Sequence, residues 1–260
     1  MGGVEGWQGL RSMPGVGATD GDDLVTLELD TSLLAPPREV PVARARLVPV
    51  PAWQLPLERW EELQPSGVYM RHVRAPFLLA VTLALLPWAL VLALPVALVN
   101  AWVQGSLARI FFQQARVGYR GRVFTLWKFR TMREGSGCDQ ARVTRFGRFL
   151  RNTHLDELPQ LVNVLRGEMS LIGPRPEMVA TEHWAAEHCP GFVERLCLKP
   201  GLTGHAQITQ GYTDSGDEAA YAAKRALNRR YVAELSLASD CRILLRTVAW
   251  ILRARGWRKT

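Results

Sequence analysis

Asp156 and Glu157 are adjacent carboxylates that stand immediately before Leu158-Pro159-Gln160. Two neighbouring acids can divide two tasks, one bridging a divalent cation and the other acting as base or nucleophile. The apolar residues that follow, Leu158, Leu161, Val162 and Leu165, have the spacing of one helix face. Pro159 suits a first turn, where its missing N–H costs nothing, and Gly167 reads as the C-terminal stop. The pair is therefore expected at a helix N-terminus, where unpaired N–H groups and the dipole favour ionised carboxylates and phosphate. An isolated Asp-Glu in that place is ordinarily an N-cap with a first-turn acid. The cations around this one move the reading to phosphate chemistry.

Those cations come from three stretches. Residues 124–130, Phe-Thr-Leu-Trp-Lys-Phe-Arg, alternate like a short strand and put Lys128 and Arg130 on one face. Arg142, Arg145, Arg148 and Arg151 recur every three residues beside Phe146, Phe149 and Leu150. On a helix this makes a cationic stripe next to an apolar one, suited to a lipid headgroup surface. Arg175 lies between Pro174 and Pro176, pre-oriented to present its planar fork to a phosphate. Further on, residues 199–204 read as a turn and 217–236 as a helix. Residues 241–257 form an amphipathic helix that reads as an interfacial membrane helix, with an ordinary core helix a nearly equal alternative.

Ala75 to Ala108 is a run of 34 residues without a formal charge, long enough to enter a bilayer. Arg71 and Arg74 precede it; Arg109, Arg116, Arg120 and Arg122 follow. Positive charge on both flanks predicts that both ends stay in the cytoplasm. Pro87 and Pro95 each remove a backbone bond and bend a helix. A helix that enters, breaks and returns fits both features, with a single kinked crossing as the alternative.

The remaining composition narrows the class. Residues 1–40 hold seven acids and two bases, so residues 41–260 carry 30 bases against 17 acids, a net +13. Such an excess attracts a polyanion. The bases track the apolar segment and match no common nucleic-acid module, so nucleic acid is not an expected partner. The four cysteines form no C-x-x-C pair and the five histidines show no metal-ligand spacing. Both observations suit a reduced compartment without a zinc site. Residues 1–35 read as disordered and the seven prolines from Pro36 to Pro65 as an extended linker, interrupted by a short helix near Leu57–Leu63 with Trp60 and Leu63 on one side. The expected organisation is a flexible extension over 1–70, a membrane helix over 71–109 and a catalytic domain over 110–260.

Longer motifs tie these pieces together. Gln114-x-Arg116-x-Gly118-x-x-Gly121-x-x-Phe124 leads into Lys128-Phe129-Arg130-Thr131-Met132. Arg145-x-Gly147-Arg148-x-Leu150-Arg151 and Leu155-Asp156-Glu157-Leu158-Pro159-Gln160-Leu161 follow. Asn163-Val164-Leu165-Arg166-Gly167-Glu168-Met169-Ser170, Gly173-Pro174-Arg175-Pro176-Glu177 and Lys199-Pro200-Gly201-Leu202-Thr203-Gly204-x-Ala206-Gln207 complete the set. Over about residues 71–255 the chain resembles the bacterial sugar transferases, monotopic polyprenyl-phosphate phosphoglycosyl transferases.

The resemblance implies an α/β fold, mostly helical with little strand. It would be a membrane-associated catalytic domain with an N-terminal re-entrant membrane helix and interfacial amphipathic helices, at the cytoplasmic face of the bacterial inner membrane. It implies transfer of a phospho-sugar from a UDP-sugar to undecaprenyl phosphate, with Mg²⁺, as the first membrane step of surface-glycan synthesis. Asp156 matches the family's nucleophile, Glu157 its metal-holding residue, and Lys128, Arg151 and Arg175 its phosphate-binding positions. Anionic lipids are expected partners, and a homo-oligomer is compatible with the sequence. Four positions depart from the family pattern: Leu-Pro replaces Ser-Pro in the membrane helix, Arg74 replaces an acid at its start, His154 replaces a small hydroxyl residue, and Asn228 replaces an aspartate. The competing reading is a catalytically silent membrane scaffold that recruits other glycan enzymes.

Overall fold

The computed structural model describes residues 55–136, 138–211 and 216–253, apart from the side chains of residues 139, 140 and 252. The expectations for residues 1–54 and for Trp257 lie outside them. The first helix, α1 (Leu57–Leu63), forms where the sequence places it. Its Trp60 is buried in the main apolar cluster with Leu78, Val117, Leu171, Ile172, Leu196, Leu198, Tyr231 and Ile243, and Leu63 packs against the same cluster.

A π-helical turn, Tyr69–Val73, runs into the 31-residue helix α2 (Arg74–Gln104). Pro87 and Pro95 lie inside α2, and the helix continues through both to its stop at Gly105, which takes a left-handed conformation (φ 68°). Proline withholds a donor from the carbonyl four residues before it, here those of Leu83 and Val91. The one hydroxyl nearby, on buried Thr82, bonds instead to the Leu78 carbonyl (2.7 Å). The buried residues of α2, Arg74, Leu78, Thr82, Ala89, Val96 and Asn100, are spaced by fours and sevens, so they form one stripe. The rest of the helix shows apolar side chains outward: Leu83, Trp88, Leu90, Val91, Leu94 and Trp102 are all exposed. By length and composition α2 can cross a membrane, and only 17% of its most apolar window is buried.

Both ends of α2 are fastened to the same body. At the start, the Arg74 guanidinium donates to Asp240 (3.2 Å), to the Ile172 carbonyl (2.8 Å) and to the Tyr231 hydroxyl (3.1 Å). Asp240 also accepts from Tyr69 (2.6 Å) and Tyr231 (2.7 Å). Arg74, read in sequence as a flanking charge, is thus a buried ion-pair partner. Near the other end, Asn100 donates to the Ile110 carbonyl (2.9 Å), and Val96 packs against Phe129 and Leu150.

Strands β1 (Phe111–Val117) and β2 (Val123–Phe129) make an antiparallel hairpin in the register Val117↔Val123 to Phe111↔Phe129. The arginine stripe then divides. Arg142 ends a short turn of helix, α3 (Asp139–Arg142), while Arg145, Arg148 and Arg151 lie on α4 (Arg145–Thr153). Thr144 makes the break, its hydroxyl accepting from the Gly147 N–H (2.8 Å) as an N-cap. Gly147 has no alternative here, since a Cβ would collide with the Thr131 carbonyl.

A 3-10 turn, Leu155–Glu157, leads into α5 (Gln160–Leu165). The expected apolar face of α5 is only partly the buried one. Leu161 and Val164 are buried, but Val162 and Leu165 are exposed and polar Asn163 is fully buried. Asn163 earns that place by three bonds: Oδ1 accepts from the Trp127 N–H (3.1 Å), and Nδ2 donates to Thr125 O (2.7 Å) and Glu168 Oε2 (2.6 Å). These bonds lock α5 to β2.

Strand β3 (Ser170–Ile172) pairs in parallel with β4 (Gly201–Thr203), with α6 (Val179–His188) and a 3-10 segment, Phe192–Cys197, between them. Cβ atoms at Gly173 and Gly201 would strike each other's neighbouring backbone, which accounts for both glycines. Helices α7 (His205–Gln210), α8 (Glu218–Ala233) and α9 (Leu237–Leu252) complete the described residues. The expected helical, strand-poor architecture is present. On α9, Leu245, Val248 and Ile251 are exposed.

The Arg74–Asp240 pair gives a stability prediction, since its side chains are 7% and 0% exposed. Asp240→Ala should cost about 3–5 kcal/mol by stranding a buried guanidinium. The double variant Arg74→Met/Asp240→Leu should be less destabilised than the single one. Thermal unfolding of the detergent-solubilised chain measures both; equal losses would show that the ion pair is not what matters.

Candidate active site

The dyad is placed by two changes of direction. Helix α4 ends at His154, a non-glycine residue in the left-handed region (φ 58°). The chain then turns through Leu155–Glu157, with the Glu157 N–H bonded to His154 O (3.1 Å). Asp156 and Glu157 therefore sit in a 3-10 turn ahead of α5, which begins only at Gln160, later than the sequence suggests. Both are buried, so solvation and dipole alone do not account for their charge.

Glu157 is neutralised by side chains instead. Its Oε1 accepts from Lys128 Nζ (2.8 Å) and from Arg175 (3.1 Å). Lys128 Nζ is also 4.0 Å from Asp156 Oδ2. Burial would raise the Glu157 pKa, but Lys128 and Arg175 outweigh it and hold the carboxyl below its ordinary range. Asp156 moves the other way: burial raises it, and the attractions of Lys128, Arg151 and Arg175 only partly offset that and the repulsion from Glu157. The two acids, expected to divide two tasks, thus stand in different electrostatic surroundings. One is a firmly held anion, and the other is a desolvated, more basic carboxylate.

Lys128, Arg175, Asp156 and Glu157 are thus one cluster. Arg151 reaches its edge, adding its charge to the field at Asp156 while its Nε donates to Thr131 Oγ1 (2.8 Å). Arg130, expected on the Lys128 face, turns away to the carbonyls of Arg109 and Phe111 and to Glu134. Arg116 was visible in a motif without a role. Its guanidinium grips Gln114 Oε1 (2.6 and 3.0 Å) and the Pro176 carbonyl (3.1 Å), while Val117 N–H bonds Glu177 O (3.0 Å). Together they hold the loop that carries Arg175 against β1. The next residue, Glu177, is pinned by buried Lys224 of α8 (2.6 Å). His154 packs against Trp250 of α9, the rings tilted by 43° with centroids 4.8 Å apart. No sequence spacing signalled that contact, because the partners are 96 positions apart.

Among the described residues no three acids, histidines or cysteines converge to hold a metal. Two adjacent carboxylates nonetheless fit Mg²⁺, which keeps several waters and takes one or two carboxylates together with substrate phosphates. Glu157 is the residue that would hold it, with Asp156 beside it.

A profile of the family described as bacterial sugar transferase matches residues 70–254. The chain is 38% identical to the uncharacterized sugar transferase EpsL of Bacillus subtilis (strain 168), over 58% of this chain and 74% of that one. It is 35% identical to the UDP-glucose:undecaprenyl-phosphate glucose-1-phosphate transferase of Escherichia coli (strain K12), over 87% of this chain and 47% of the relative. The UDP-N-acetylgalactosamine-undecaprenyl-phosphate N-acetylgalactosaminephosphotransferase of Aeromonas hydrophila is 33% identical over 75% and 47% respectively. The chain thus spans about half the length of these two relatives with named activities. A match that takes in the membrane-length helix, the dyad turn and α9 shows that this chain belongs to the bacterial sugar transferase family.

Proposed function

We propose that the protein transfers a phospho-sugar from a UDP-sugar to undecaprenyl phosphate, releasing UMP, as the first membrane step of surface-polysaccharide synthesis. The observation that carries this reading is the contrast within the dyad, where one carboxylate is held ionised by two cations and the other is desolvated and more basic. The two activities named for the relatives, one acting with UDP-glucose and one with UDP-N-acetylgalactosamine, support the substrate class.

In this mechanism Asp156 attacks the sugar-linked phosphorus of the UDP-sugar in line with the bridging oxygen. The bond from that phosphorus to the bridging oxygen breaks, UMP departs, and an aspartyl phospho-sugar remains. A phosphate oxygen of undecaprenyl phosphate then attacks the same phosphorus, restoring the Asp156 carboxylate and yielding the lipid diphospho-sugar. Desolvation makes Asp156 a better nucleophile than a water-exposed carboxylate. Lys128 and Arg175, already positioned beside the dyad, neutralise charge on the transferring phosphoryl oxygens. Arg151, at the edge, is placed to receive a second substrate phosphate. Glu157 would hold Mg²⁺, which would neutralise the charge that develops on the departing UMP phosphate.

The bilayer placement follows from α2. The helix carries Pro87 and Pro95 within its apolar middle, a buried stripe runs along its length from Arg74 to Asn100, and both of its ends are bonded to one body. We therefore place both ends at the cytoplasmic face of the inner membrane, with the exposed apolar middle dipping into the lipid.

Three measurements test this reading. Incubated with UDP-sugar alone, the wild-type chain should gain a phospho-sugar mass on the peptide containing Asp156, and Asp156→Asn should abolish both adduct and turnover. Absence of the adduct where lipid-dependent UMP release is verified would establish direct attack by the lipid phosphate. Arg175→Lys keeps the charge but loses the fork, so UMP release should fall roughly tenfold to a hundredfold; near-normal turnover would show that the fork is dispensable. In a Cys138→Ser background, cysteines at exposed positions Val68 and Arg122 should both resist a periplasmic thiol reagent. Labelling of one alone would establish a crossing helix.

A further inference from the structure

Away from the dyad, α7, α8 and α9 enclose an open cavity of about 200 Å³ lined by His205, Arg230, Glu234, Ser239, Arg242 and Arg246, among others. Its lining carries an excess of positive charge. Arg230 is paired with Glu234 (2.9 Å). Arg242 and Arg246, one helical turn apart on α9, make no hydrogen bond or ion pair with any described residue. The other polar groups at the cavity are engaged: the Ser239 side chain belongs to the capping box of α9, and the Tyr231 hydroxyl bonds to Asp240. One acid thus faces three guanidiniums. That excess is repulsive within the protein, and it is the complement of a phosphate, which guanidinium groups bind through parallel N–H donors.

His205 lies in the same field. Burial lowers its pKa, and Arg230 and Arg246 lower it further. The site also lies at a suitable depth. Arg242 and Arg246 flank the side of α9 that exposes Leu245 (73%) and Val248 (56%). If that apolar face meets lipid, the arginines lie at the level of the headgroup phosphates.

We propose that this cavity is a second phosphate site, distinct from the dyad cluster, in which Arg242 and Arg246 are the principal donors. The chemistry it recognises is a phosphate group, supplied either by an anionic lipid headgroup or by a soluble phosphate. The proposal concerns binding and stands apart from the transferase reading.

The test uses the full chain in detergent micelles with carbon-13-labelled histidine, His205 being assigned among the five histidines by His205→Gln. The pH titration of its ring is followed with short-chain phosphatidylglycerol, short-chain phosphatidylcholine or inorganic phosphate. A bound anion favours the imidazolium, so the His205 midpoint should move upward. Movement with phosphatidylglycerol alone identifies a headgroup site, and movement with inorganic phosphate identifies a site for phosphate as such. In either case Arg242→Ala/Arg246→Ala should raise the half-saturating ligand concentration at least about tenfold. Both side chains are exposed, so the variant should keep the wild-type unfolding temperature. No movement with either anion, an equal movement with phosphatidylcholine, or an undiminished response in the double variant would overturn the proposal.

Discussion

The structure depends on one buried carboxylate. An anion taken from water needs cations and hydrogen bonds to replace its hydration, or it takes up a proton. Glu157 meets that demand with a single oxygen that receives both Lys128 and Arg175. Lys128 comes from β2 and Arg175 from the loop after β3, so three separate stretches must converge for Glu157 to stay charged. The same convergence leaves Asp156 beside the ion pairs and outside their best geometry. Its 4.0 Å separation from Lys128 gives too little attraction to offset burial. The two acids differ because the protein spends its close contacts on one of them.

Much of the remaining polar interior keeps those three stretches in register. Asn163 ties α5 to the β2 backbone at Thr125 and Trp127, on either side of Leu126 and just before Lys128. Arg116 and the Glu177–Lys224 pair hold the two sides of the Arg175 loop to β1 and α8. At Gly147, the absence of a side chain lets α4 approach the strand exit at Thr131. Asn163, Arg116, Glu177 and Gly147 each lie in a motif that the sequence displays, whereas Lys224 does not. Their contacts hold in place the segments that carry the cations.

That division explains what could be read in advance. The residue types of the site were legible because phosphate chemistry needs acids and cations together, and Asp156, Glu157, Lys128 and Arg175 do come together in space. Local elements were legible where one pattern dominates, as in α1, β2, α8 and the long apolar helix. The buried face of α5 was misjudged because periodicity counts apolar side chains, whereas Asn163 is buried for its hydrogen bonds. The arginine stripe looked continuous because its period ignores the cap at Thr144. Arg74 looked like a flanking charge because its partner, Asp240, is 166 residues away. Trp60 was recognisable as a helix residue, but the core it enters is assembled from distant segments. Long-range polar pairing leaves little trace in one chain's local spacing.

Asp240 also connects the apolar surfaces to the chemistry. It lies in the first turn of α9 and binds Arg74 and Tyr69, so the start of α2 and the start of α9 share one buried network. Ten residues later on the same helix, about 15 Å away, Trp250 packs against His154, two positions before Asp156. The exposed apolar residues of α9, Leu245 and Val248, lie between these two attachments. A rigid helix fixed at both points sets the height of its outer face relative to the dyad. The far end of α2 adds a second reference, since Val96 packs on Phe129, one residue after Lys128. Apolar surfaces bonded to the site at several points cannot sink or rise independently of it. Under the function proposed above, in which the lipid substrate carries its phosphate at a fixed depth, that rigidity would bring buried Asp156 and the membrane-held phosphate together.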